Sequence, residues 1–226
     1  MLFALSSSLG AATVYNNTLT GTAGGNAVSV RALFDVAGNN LTLTLSNLQG
    51  SVNSVGQVIT GFSFQYTDLI GSLNYLNSTS SGQEITVNRD GSTTLGPSAT
   101  MNWANYSFSN GYILCLLCQG IGDDRAGQKN HGIIGAGPFT ASGGSVRGNA
   151  PHNPFINQSG TFLFTGVTGI NIREVTAYFG TNNGVSITRD RTGGVAETPI
   201  PEPSSLALLG SSLIGLLAYV KKNKKC

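Results

Sequence analysis

The pair Cys115-Leu-Leu-Cys118 has the spacing of a dithiol centre. Redox chemistry at such a pair needs a thiol at a helix N-terminus or beside a cation, where its pKa falls. Here leucines flank the sulfurs and no Lys, Arg or His adjoins them. If residues 112–118 are one strand, an offset of three points the thiols to opposite faces, where they cannot pair. Two readings stay open: thiols packed in the core, or a structural Cys115–Cys118 disulfide. A redox centre has little support.

Asp123-Asp124, with His131 and His152 downstream, offer oxygen and nitrogen ligands for Ca²⁺ or Zn²⁺. Their spacing matches neither an EF-hand nor a zinc motif, and they read better as solvated loop residues. No metal site and no cofactor is expected. Gly132-Ile-Ile-Gly-Ala-Gly137 lacks the Gly-x-Gly-x-x-Gly pattern and a following helix, so it does not cradle a nucleotide. The chain holds only two His, and neither has a visible Ser or Cys partner. No acid–base pair stands out, and an enzyme is not expected. Trp103, Tyr106, Phe108 and Tyr112 form one aromatic cluster near loops. Such rings stack on sugars when they line a face, but aromatic residues more often fill cores.

The elements that must carry these residues are strands. Val28, Val30, Ala32, Phe34 and Val36 alternate with Ser29, Arg31 and Asp35; Leu41, Leu43 and Leu45 alternate with threonines. Gly38-Asn39-Asn40 between them is a turn, so the two runs make a β-hairpin. Strands are also expected over residues 58–66, with Phe62, Phe64 and Tyr66 on one face, and over 84–88, before an Arg89-Asp90-Gly91 turn. Further strands are expected over 112–118, 161–164, 170–179 and 185–188. Residues 71–82 read as turns. Residues 119–160 read as a long Gly/Asn/Pro-rich loop, which in a compact domain has a function or hides short strands. Eight to ten such strands (about one per turn signal) predict an all-β domain, a β-sandwich, jelly-roll-like in its winding.

Composition agrees. Charged residues are 10 % of the chain and Gly is 31 of 226, against roughly 25 % charged and about 7 % Gly in typical domains. Four of the twelve Lys and Arg residues lie at 221–225, and Glu202 is one of ten acidic residues. Residues 1–200 are therefore near neutral and present no basic stripe for nucleic acid. Sequons begin at Asn16, Asn40, Asn77, Asn105 and Asn157, as a chain so rich in Asn produces by chance.

The two ends have another character. Residues 206–220 carry no charge. As a helix they reach about 22 Å, a short span for a hydrocarbon core of about 30 Å. Leu206, Leu208, Leu209, Leu213, Ile214, Leu216, Leu217 and Val220 would form the membrane anchor. Lys221, Lys222, Lys224 and Lys225 follow directly and place that end in the cytoplasm by the positive-inside rule. Cys226 then lies across the membrane from the body. Before the span, Pro201-Glu202-Pro203 holds an extended backbone and presents one carboxylate. At the other end, residues 2–9 look like the end of a signal-peptide apolar region, and Gly10-Ala11-Ala12 like a small-residue cleavage site.

The order of these parts resembles a known family. Ile-Pro-Glu-Pro-Ser-Ser-Leu-Ala-Leu-Leu-Gly, an apolar span and a basic end are similar to the PEP-CTERM sorting signal of Gram-negative bacteria. Ile200 stands where Val is commoner. The resemblance implies an exosortase, a membrane cysteine protease of transpeptidase type, as partner, with Pro201, Glu202 and Pro203 as its recognition motif. It implies export, removal of the tail and an association with extracellular polysaccharide. The spacing of His131-Gly-Ile-Ile-Gly-Ala-Gly-Pro, His152-Asn-Pro-Phe and Tyr178-Phe-Gly-Thr also resembles the bodies of such proteins.

The expected organisation is thus a signal-peptide remnant over 1–12, a β-sandwich over 13–192 and a linker over 193–200. The sorting signal with a single C-terminal transmembrane helix follows over 201–226. The expected function is that of a non-enzymatic surface or extracellular-matrix protein, anchored for a time in the inner membrane with its body outside. A carbohydrate-binding module on the same scaffold is the alternative.

Overall fold

A computed structural model describes residues 13–117, 130–140, 146–181 and 186–190. The signal remnant, Cys118, Asp123, Asp124, Val185, the linker and the whole sorting tail lie outside the described residues.

Among the described residues the chain is nearly all β. Its strands are β1 (Thr13–Ala23), β2 (Asn26–Ala37), β3 (Asn40–Asn47), β4 (Ile59–Tyr75), β5 (Ser81–Val87) and β6 (Thr93–Thr100). They continue as β7 (Ala104–Phe108), β8 (Gly111–Cys115), β9 (Ile133–Ile134), β10 (Phe155–Phe179) and β11 (Ser186–Asp190). Among the described residues the helical pieces are 3₁₀ turns at Val55–Gln57 and Asn77–Thr79.

The alternating run in β2 folds as its pattern dictates. Val28, Val30, Ala32, Phe34 and Val36 are buried, and so are Leu41, Leu43 and Leu45 of β3. The turn is shorter than expected. Ala37 pairs directly with Asn40, leaving Gly38 and Asn39 as the two loop residues, and Gly38 takes φ +62. A two-residue hairpin turn requires such positive φ.

β10 organises the domain. Its first half pairs with β3 on one side and β5 on the other; its second half pairs with β4 and β11. Register with β4 breaks repeatedly between Thr165 and Asn171, where the strand bends. Gly71 of β4 fits against this bend at φ +102, with the Gly166 carbonyl oxygen where a Cβ would be. The strand then returns on itself. Ile133 of β9 pairs with both Ile156 at the start of β10 and Ile59, whose own partner is Phe179 at its end.

The layers β1–β2–β3 and β11–β10–β4–β8–β7 therefore share one folded strand and face each other, consistent with a β-sandwich. Rings fill the space between them. Phe34 of β2 meets Phe64 of β4 edge-on at 5.2 Å, and Phe64 meets Phe164 of β10 at 6.0 Å. A smaller apolar cluster, including Ile85, Val87, Phe139, Val146 and Phe155, lies at one end.

Both described ends of the chain leave towards the bend. Thr13 is level with Val36, Leu41 and Phe164 through successive pairings. Asp190 pairs with Glu174, nearer the bend than Ser186 with Tyr178. β1 and β11 also touch: Arg189 Nη1 donates to the Thr18 carbonyl at 2.7 Å. The β5–β6 hairpin tip, β9 and the 146–154 loop sit at the opposite end.

Several expectations need correction. The run expected over 112–118 stops at Cys115, followed by bends at Leu116 and Leu117. β4 continues through residues read as turns, to Tyr75, and β10 begins at Phe155 inside the expected loop. That loop also holds β9. Within residues 170–179 the inward set changes parity. Ile170 and Ile172 are buried, then Val175, Ala177 and Phe179, because register shifts between Ile172 and Glu174. One extra residue in a bulge moves all later side chains to the other face.

Candidate functional site

Cys115 ends β8, between β4 and β7, with no exposed surface. It is disulfide-bonded, which overturns the reading of an unpaired core thiol. The opposite-face argument fails because its premise, a strand through Cys118, is not met. A sulfur this buried among apolar neighbours lacks the exposed, electropositive setting of a reactive cysteine.

The two histidines have different surroundings. His131 Nε2 lies 2.9 Å from Glu84 Oε1, joining the approach to β9 with β5. Its backbone is held on both sides. The His131 N–H donates to the Pro154 carbonyl at 2.8 Å, and its carbonyl accepts from Trp103 Nε1 at 3.2 Å. These bonds hold the residue at φ +69, a left-handed conformation uncommon outside Gly. His131 is therefore not the solvated loop residue expected; its side chain is 14 % exposed. His152 is buried in the 146–154 loop, with its N–H donating to the Asn149 carbonyl at 3.0 Å. Asn153 next to it acts as a surrogate strand. Its Oδ1 accepts from the Val87 N–H at 2.9 Å and its Nδ2 donates to the Val87 carbonyl at 3.3 Å. Among the described residues, no three His, Cys, Asp or Glu converge to hold a metal.

The four aromatic residues do not form one platform. Trp103 is buried against Phe162 at 5.1 Å. Tyr112 stacks on Phe64 at 6.1 Å and meets Phe164 edge-on at 5.1 Å. Its hydroxyl donates to Asn105 Oδ1 at 2.6 Å. Burial, together with the nearby Tyr75 and Tyr66, pushes the Tyr112 phenol up to about 12. Tyr106 is half-buried. Only Phe108 stands well exposed, its ring lying over Gly111.

Sequence reasoning missed the Glu84–His131 pair. The two residues are 47 positions apart and share no motif, so no local signal marks them. It also missed the concave surfaces at the end of the domain that holds the β5–β6 hairpin tip. One groove of about 390 Å³ runs between the β5–β6 hairpin, the 135–139 loop and the start of β10. Another of about 430 Å³ lies between Thr86–Arg89 and the 146–154 loop.

The residues expected to govern delivery, Pro201, Glu202 and Pro203 with the apolar span and lysines after them, fall beyond the described strands. In sequence they follow β11. Residues 199–222 match the PEP-CTERM protein-sorting motif. The chain carries that motif at the place where its residues indicated it. No curated protein matches the chain. The PEP-CTERM motif is a signal of exported, surface-directed proteins handled by an exosortase, and it follows an all-β body here.

Proposed function

We propose that this chain is a non-enzymatic surface or extracellular-matrix protein whose β-domain is delivered by exosortase processing of its tail. The observation that carries the reading is the PEP-CTERM motif over residues 199–222, set after an all-β domain. Residues 206–220 span the inner membrane as a helix for a time, and Lys221, Lys222, Lys224 and Lys225 keep their end in the cytoplasm. Pro201-Glu202-Pro203 then stands at the outer membrane face as an extended handle with a carboxylate at fixed depth. Cleavage there frees the body to the cell surface, where it associates with extracellular polysaccharide.

The experiment is expression of tagged variants in a host with its exosortase, followed by size and fractionation. Glu202→Ala leaves the apolar span and its orientation intact, so the protein should stay uncleaved in the membrane. Replacing the four lysines with neutral residues should instead weaken anchoring and orientation. If Glu202→Ala is processed and released like the parent, the motif is only a helix boundary and the sorting reading falls.

A further inference from the structure

We infer that the groove beside the β5–β6 hairpin binds an uncharged, hydroxyl-rich ligand, a segment of neutral oligosaccharide. Among the described residues its lining contains no charged side chain. An anionic or cationic ligand would lose hydration there without gaining a counter-charge. A wholly apolar ligand would bury the groove's hydroxyls and amides unpaired, at a cost of about 1–3 kcal/mol each. Ser92, Thr93, Asn157 and Gln158 supply donors and acceptors, while Leu95 and Phe139 supply apolar surface. Leu95 is 56 % exposed, and nothing in the sandwich core uses it. Sugar rings present this same mixture, with C–H faces beside hydroxyl edges.

The groove is built on a firm base. Ile85 and Phe139, which line it, belong to the small apolar cluster with Val87, Val146 and Phe155. A preformed wall lowers the ordering cost of binding. The edge of β10 is reshaped where it borders the groove. Register with β5 breaks between Ile156 and Gly160, and Gln158 sits at φ +60. Bulges of this kind re-aim side chains away from the ladder, and a non-Gly residue held left-handed is strain kept at a site of use.

The groove lies at the end of the domain opposite the bend in β10, towards which β11 runs. This placement rests on the surface-protein reading only for where the ligand is met, and the test makes no use of sorting. The full chain, held in a detergent without a sugar headgroup, is tested by glycan array and calorimetry. The probes are neutral gluco-, xylo- and manno-oligosaccharides and acidic uronate oligosaccharides. Saturable binding of a neutral series, insensitive to salt, is expected. Leu95→Glu and Gln158→Ala, both at exposed positions, should each weaken it about tenfold or more. Phe108→Ala, on the remote β7, should leave it unchanged. The inference is overturned if no neutral series binds, if the acidic series binds more tightly, or if the groove variants bind like the parent. None of these results bears on Glu202→Ala processing, so the two readings fail separately.

Discussion

Tyr15 Oη donates a 2.6 Å hydrogen bond to the carbonyl of Ile170, 155 positions away, tying the first strand to the second half of β10. The phenol is buried, so Tyr15→Phe keeps the ring's packing and removes the bond to Ile170. The expected cost is about 1 kcal/mol. It should appear as a lower urea midpoint with an unchanged slope.

Two positions further along β1, Asn17 is fully buried on the core face, and neither amide atom has a partner among the described residues. A buried amide left unpaired costs about 1–3 kcal/mol. Asn17→Leu, close in volume and apolar, should stabilise the domain by about 1 kcal/mol or more. A drop in thermal midpoint for this variant would mean that the amide has a partner such as an ordered water.

At the bend, Gly71 has no room for a side chain and a φ that disfavours one. Gly71→Ala must move the Gly166 carbonyl, which would unseat the fold of β10. A loss of about 2–4 kcal/mol is expected, near the severe end for single substitutions. Gly25→Ala is the comparison: its φ is +81 but the space is open. It should cost about 1 kcal/mol, since strain alone remains.

Tyr112 sets an alkaline limit. Its folded pKa lies above the ordinary 10.0, at about 12. Between these values the unfolded chain loses the proton while the folded chain keeps it, so stability falls as pH rises. Stability should be level below about pH 10 and decline towards pH 12, with Tyr112 the late step in an ultraviolet titration. Tyr75, also raised by burial, adds to the same limb. In Tyr112→Phe the decline should be shallower.

Cys115 is buried and disulfide-bonded, and the bond is expected to support the fold. Replacing Cys115 and Cys118 together with Ala should lower stability by about 2–4 kcal/mol. Binding measured for the parent should persist in the double variant, checked by the same array. Loss of binding with an unchanged melting curve would give the sulfur a working role.

The legible parts of the fold were those where side chains alternate without interruption. Val28 to Leu45 declares two strands because every second residue is apolar and the turn holds Gly and Asn. β1 was not legible: Asn16, Asn17 and Gly21 are poor strand formers, and pairing along all of β2 overrides them. The start of β10 was hidden because Asn-Gln-Ser-Gly after Ile156 reads as a turn, whereas it is a bulged stretch of strand. The Arg173 bulge was equally silent, since a register shift leaves no mark on composition. As for sites, the sorting motif is contiguous and was read directly. The groove and the Glu84–His131 pair are assembled from separate segments, so they appear only once β5, β9 and β10 are brought together.

The folded course of β10 has a mechanical consequence. β11 runs from Ser186 towards the bend as far as Asp190, and the groove opens at the end away from the bend. Tension between an anchored tail and a ligand held in the groove would run along the strands, across the direction of their hydrogen bonds. The five paired residues of β10 and β11 would then carry the load together, in shear, rather than peel apart one by one. Load would pass into β10, which belongs to both layers, and so spread through the whole core.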